Sequence, residues 1–228
     1  MAIDFDNQPD LVANYERGPR WFIPGYDAIH TMAAALLRNR IGQTGRILVL
    51  GAGGGFEITA MARHGAWHFT GVDPSEQMLA LARRILARDG VPASRFELIS
   101  GYIPDAPRGA FDAATCFLTM HFVKDDGAKA QAFQHIHACL RPGAPFLFVD
   151  GCADMASPNF ARQLADYAEF ARLQGAPEDI ITMALEMNRS SLNFVTAERN
   201  LALMSDAGFS DITLFTAGTL FRGWIARA

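Results

Sequence analysis

The residues with the most distinct chemical signature lie between positions 51 and 73. Leu50 is followed by Gly51-Ala52-Gly53-Gly54-Gly55, and Asp73 stands 22 residues beyond Gly51. Glycine adopts positive φ without steric cost, and its missing side chain lets a ligand approach the main chain closely. A carboxylate at the end of the next strand can accept both hydroxyls of a ribose. A glycine turn followed by such an acid is chemistry for holding a nucleoside. A second candidate is His121, placed after a later strand at the edge that would face an acceptor. It is the candidate base or acceptor contact, against the plainer role of a hydrogen-bonded packing histidine. The other histidines carry less. His135 and His137 stand two apart on a helix and cannot converge on one ligand, and His64 and His68 receive no role. No spacing suggests a metal site. Cys116, Cys139 and Cys152 show no C-x-x-C pattern and are expected to be reduced, buried thiols.

The elements that position these residues alternate along the chain. Pro24-Gly25 breaks the chain, and Tyr26 to Arg38 has helical spacing of apolar residues. Arg46–Leu50 is a continuous apolar run, the pattern of a strand buried on both faces of a parallel sheet. The glycine cluster and a helix to about Arg63 follow. His68–Val72 is a second strand, and Ser75 is positioned to cap the next helix, with Glu76 in its first turn. Phe96–Ile99, Asp112–Phe117 and Pro145–Val149 are further strands. A helix over 126–140 ends at Arg141-Pro142-Gly143. Residues from about 157 to 206 have helical character and contain Met183, Met187 and Met204. With Met155 these could line a pliable pocket, although a helical core explains them more simply. Ile212–Thr216 and Leu220–Ile225 form a terminal hairpin. This rhythm implies parallel strands joined by right-handed crossovers, an α/β fold.

Two cofactor classes use a glycine turn and an acid in this arrangement. The dinucleotide fingerprint G-x-G-x-x-G would need its third glycine at position 56, which is Phe56. The loop reads G-x-G-x-G, which favours S-adenosylmethionine (SAM), a nucleoside without a pyrophosphate to cradle.

The stretches Ile47–Gly55, Gly71-Val72-Asp73-Pro74-Ser75, Phe111–His121 and Leu140–Gly143 resemble the class I SAM-dependent methyltransferases. The resemblance implies a Rossmann-like seven-stranded, mostly parallel sheet with an antiparallel last strand, helices on both faces and a helical cap insert. It implies SAM as cofactor, S-adenosylhomocysteine as product, and cofactor contacts at Tyr26, Gly51, Ala52, Gly53, Gly55, Asp73, Pro74, Ser75, Met78, Gly101, Tyr102, Ile103 and Phe117. Pro24-Gly25-Tyr26 and its spacing to Gly51 are similar to the carboxy-SAM synthase-like branch, in which the tyrosine contacts the amino-acid end of the cofactor. That branch also uses an arginine in the insert to pair with the extra carboxylate. Leu185 stands at the matching position here, with Arg189 one turn away. Two further departures are Val49, where the family has an acid, and Tyr102, where it commonly has an acid beside the adenine. Methyl transfer to an unidentified small-molecule acceptor is therefore the leading expectation. The alternatives are a carboxy-SAM synthase-like enzyme and a non-catalytic SAM-binding module. Tyr15, Trp21, Phe22 and Tyr26 would fold over the site, where aromatic faces favour a sulfonium.

Composition bounds the rest. The 228 residues are 50% hydrophobic and carry a net charge of −4, which suits one domain with a sizeable core and argues against a dedicated nucleic-acid face. No apolar run approaches a membrane span. The acidic, polar start does not resemble a signal peptide, so a cytoplasmic protein is expected. The domain is expected to span 1–228, with an N-terminal helical lid over 1–45 and a cap insert over 151–206. The insert is a candidate homodimer interface.

Overall fold

The computed structural model describes residues 15–109 and 111–228. Helices α1 (Gly18–Phe22) and α2 (Tyr26–Ile41) precede β1 (Arg46–Leu50). There follow α3 (Phe56–Ala62), β2 (His68–Asp73), α4 (Glu76–Arg88), β3 (Phe96–Ser100), β4 (Ala113–Phe117), α5 (Ala128–Cys139) and β5 (Pro145–Gly151). Helices α6 (Asn159–Leu173), α7 (Glu178–Ser190) and α8 (Ala197–Asp206) lead to β6 (Ser210–Gly218) and β7 (Phe221–Arg227).

The strands form one sheet in the order β3-β2-β1-β4-β5-β7-β6. β1 pairs in parallel with β2 and β4, and β7 runs antiparallel to both β5 and β6. Alternate side chains of the central strands enter two cores. Ile47, Val49, Leu147 and Val149 face one apolar cluster, and Leu48, Leu50, Phe146 and Phe148 face the other. Burial on both faces explains why these strands read as unbroken apolar runs. Strand order reverses direction between β1 and β4, so a crevice opens beyond their carboxyl ends, where open α/β sheets bind ligands. The glycine loop leaves β1 there, and the segment leading to His121 leaves β4.

The expected elements are present, with three corrections. Helix α5 begins at Ala128, two residues late, because the Asp126 carboxylate accepts the Ala128 N–H at 3.2 Å and Gly127 turns at φ 106°. The helical stretch 157–206 divides into three. Gly175 at φ 81° and Pro177 separate α6 from α7. The second break lies at 191–196, where the chain leaves the helix to pair with the loops around the sheet edge. There Asn193 N–H donates to His121 O at 2.7 Å, and Ala153 N–H to Val195 O at 3.0 Å. Helix α8 then packs on α5 and places Leu203 and Met204 in the second core. It flanks the sheet. The terminal strands are longer than their apolar centres because bulges break the β6–β7 register between Ser210 and Thr213 and between Leu214 and Thr216.

Candidate functional site

The glycine loop is held from three directions. Gly51, Gly53 and Gly55 have φ of 69°, 47° and 76°, conformations that disfavour a side chain. The Gly51 and Ala52 N–H groups both donate to Val72 O, at 2.9 and 3.0 Å, so β2 receives the turn. A Cβ at Gly51 would lie 1.9 Å from Thr119 Oγ1, and one at Gly55 would lie 3.1 Å from Ala82 Cβ. The loop therefore closes against the β4 loop on one side and α4 on the other.

Asp73 joins the loop to the helix beyond it. Its Oδ2 accepts the Gly53 N–H at 2.8 Å and its Oδ1 accepts the Ser75 N–H at 3.0 Å. Ser75 caps α4 as expected, its Oγ accepting the Met78 N–H at 3.2 Å. The sequence reading assigned Asp73 to a ribose. The geometry adds a second task, because the same buried carboxylate fixes where the Gly53 amide points.

A narrow cavity lies between this loop, α2 and the end of β4. Its lining includes Tyr15, Tyr26, Gly51, Ala52, Gly53, Phe117 and Leu118. Leu118 has φ 56°, a strained value for a branched side chain, and its N–H donates to Val149 O at 2.7 Å. Burial and the Asp73 carboxylate raise the Tyr15 phenol far above its ordinary value, and burial does the same to Tyr26. Both are neutral hydroxyls near neutral pH. Of the expected cofactor residues, Tyr26, Gly51, Ala52, Gly53 and Phe117 line this cavity. Asp73, Ser75, Met78 and Gly55 support it from behind. Pro74, Gly101, Tyr102 and Ile103 lie outside it, at the ends of β2 and β3, where Gly101 N–H donates to Asp73 O at 3.1 Å. Tyr102 is 67% exposed, available to a planar group lying on that edge.

Glu57 also lines the cavity, and the sequence reading missed it. It sits in the first turn of α3, only 7% exposed. Burial lifts its carboxyl to about 8, the opposite of what a solvent-facing acid in a first turn would show. The available signal was its position two residues after Gly55, on a helix that must face the sheet.

His121 is buried in a short turn over Met120–Phe122. Its Nδ1 contacts Asp150 Oδ1, at the end of β5. Asp150 was not recognised as a partner, because 29 residues separate the two and only the β4–β5 pairing brings them together. In the tautomer in which Nδ1 donates to Asp150, Nε2 presents a lone pair. Phe122 and Phe194 stand edge-on to the ring at 4.5 and 5.8 Å. Lys129 is buried nearby with its ammonium donating to Asn193 O at 3.0 Å. Burial lowers its pKa, and the Asp150 charge opposes that shift. His121 does not line the cavity itself. It stands three residues beyond the Leu118 wall.

Residues 47–143 match a family model described as a methyltransferase domain. That match and the seven-stranded order with an antiparallel β7 support a class I SAM-dependent methyltransferase domain. The chain is 31% identical over 123 residues to a ubiquinone biosynthesis O-methyltransferase of Pseudomonas aeruginosa, covering 54% of this chain and 51% of that protein. It is 30% identical over 168 residues to the corresponding protein of Alkalilimnicola ehrlichii, covering 72% and 64%. The chain thus spans about half to two thirds of the length of these curated relatives. Among solved structures it resembles the Burkholderia thailandensis 1,6-didemethyltoxoflavin-N1-methyltransferase, with a TM-score of 0.63 at 20% identity, covering 96% of this chain and 86% of that one. That likeness concerns the fold.

Leu185 is half-buried against the first core, and Arg189 is exposed at the end of α7. His135 Nε2 pairs with Ala106 O at 3.2 Å, and His137 packs on Phe209. The three cysteines are buried and unpaired. Burial pushes the Cys139 and Cys152 thiols up to about 11 and 12, so they are not nucleophiles near neutral pH. Met204 is core, Met155 and Met187 pack against the first cluster, and Met183 is exposed. No helix among the described residues is long and apolar enough to cross a membrane. No cluster of His, Cys, Asp or Glu among them could hold a metal ion. The N-terminal part of the expected lid, residues 1–14, lies outside the described residues.

Proposed function

We propose that this chain transfers a methyl group from SAM to a hydroxyl of a small organic acceptor, with His121 as base and Asp150 as its positioning residue. The buried His121–Asp150 contact beside the β1–β4 crevice carries this reading. SAM supplies a methyl group on a sulfonium cation and leaves S-adenosylhomocysteine. The glycine loop and Tyr26 would hold the amino-acid end, Asp73 the ribose, and Met78, Gly101, Tyr102 and Ile103 the adenine. Pro74 and Ser75 complete that wall. Phe117 and Tyr26 offer aromatic faces to a cation.

A hydroxyl loses its proton as it is methylated, which a general base accelerates by about 10²–10⁴-fold. Asp150 fixes the tautomer of His121 that leaves Nε2 able to take that proton, and stabilises the ring once charged. Curated relatives named as O-methyltransferases support an oxygen acceptor. Plain SAM is favoured over carboxy-SAM because Leu185 offers no guanidinium for a second carboxylate. The buried His–Asp pair favours turnover over a binding module. The exposed Leu173 and Met183 on the cap helices support a homodimer through α6 and α7, and a cytoplasmic setting is proposed with it.

Calorimetric titration with SAM, followed by turnover on a panel of phenols and catechols, tests the reading. His121→Ala should lower kcat by about 10²-fold or more while the SAM Kd stays put. Asp150→Asn should lower kcat with little change in KM. Full turnover in His121→Ala removes the base, and absence of SAM binding removes the cofactor.

A further inference from the structure

Glu57 is a buried acid without a cation. Its Oε1 has no hydrogen-bond partner among the described residues, although the side chain is 7% exposed. The groups facing it are Tyr15, Tyr26, Cys116 and Thr115, whose hydroxyl is the one neutral donor placed to stabilise the carboxylate. None brings a positive charge. No lysine or arginine lines the cavity among the described residues, and His30 is driven towards its neutral form by burial. A buried carboxyl with an unmet oxygen costs stability that a leucine would not. Val49, two residues before Gly51, is fully buried and apolar, so β1 supplies no second acid to the same space.

Glu57 lines the cavity and has no cationic neighbour there, so a positive complement would come from a ligand. Asp73 places a ribose at the end of β2, and the cavity opens one strand further on, along the glycine loop. A substituent extending from that ribose reaches it. Resting on the SAM reading above, we infer that Glu57 receives the α-ammonium group of the cofactor's amino-acid end. The sulfonium is the other cation on that ligand, but it has no N–H and cannot satisfy Oε1. An ammonium donates a charge-assisted hydrogen bond directly to it. Binding then draws the Glu57 carboxyl into its ionised form, and its proton leaves for solvent.

The test compares S-adenosylhomocysteine with its deamino analogue, in which hydrogen replaces the α-ammonium. Calorimetry of the wild-type protein should give a preference of about 10–100-fold for the amine, the range of one charge-assisted bond. Glu57→Gln, close in shape to the protonated acid, should cut that preference at least tenfold, and Glu57→Asp should restore part of it. Titrations at pH 7 in buffers of different ionisation enthalpy should show proton release on binding of the amine to the wild type and none in Glu57→Gln. An unchanged preference in Glu57→Gln, or equal proton release in both proteins, overturns the assignment. Failure of the wild type to bind S-adenosylhomocysteine is a different result, and it refutes the cofactor reading on which the assignment rests.

Discussion

Replacing Glu57 with glutamine should stabilise the ligand-free protein, and increasingly so as pH rises. The folded protein holds the carboxyl protonated to about pH 8, against an ordinary value of 4.5. Between these limits the folded state keeps a proton that the unfolded chain has released, so stability falls as pH rises. Below pH 4.5 both states are protonated and the penalty vanishes. Above about pH 8 it is complete. The interval 8 − 4.5 is 3.5 pH decades, each worth about 1.4 kcal/mol. The upper bound is therefore about 5 kcal/mol at pH 9, and about 1.4 kcal/mol remains at pH 5.5. For a chain of this size that corresponds to a Tm difference of about 10–20 °C at pH 9. Urea unfolding of both proteins at pH 5.5, 7 and 9 reads the effect. Other titrating groups, such as the buried His30, contribute equally to both and cancel in the difference. Parallel stability profiles for the two proteins from pH 5.5 to 9 would refute the argument, because they would mean that Glu57 reaches solvent in the folded state.

Two further substitutions probe the loop. Asp73→Ala removes the acceptor for the Gly53 and Ser75 amides. SAM affinity measured by calorimetry should drop by about 100-fold or more, since the two hydrogen bonds that the ribose would donate to the carboxylate, at about 1.5–3 kcal/mol each, are lost. Gly55→Ala forces a side chain into φ 76° and against Ala82. Strain of about 1–3 kcal/mol should appear as a Tm lowered by several degrees in a thermal melt.

Much of the fold was legible because its signals are local. Runs such as Arg46–Leu50 and Pro145–Val149 announce strands covered on both faces, and Ser75 announces the start of α4 by its own chemistry. The site was legible only as far as its glycines and Asp73, which are also consecutive features of one crossover. Asp150 meets His121 through strand pairing, which leaves no trace in the spacing of the two residues. Glu57 looks like an ordinary first-turn acid until α3 is laid against β4. The break at 191–196 follows from pairing with distant loops, which helical periodicity does not register, whereas the first break is marked in the sequence by Gly175 and Pro177.

Helix α1 has two neighbours that would otherwise be independent. Phe22 stacks on Tyr167 of α6 at 5.0 Å, while the next residue, Ile23, lines the cavity beside the glycine loop. Adjacent side chains therefore join the seat of α6 to the cavity wall. A displacement of α6 that moves Phe22 also moves Ile23, so the packing of that helix and the shape of the cavity are not independent.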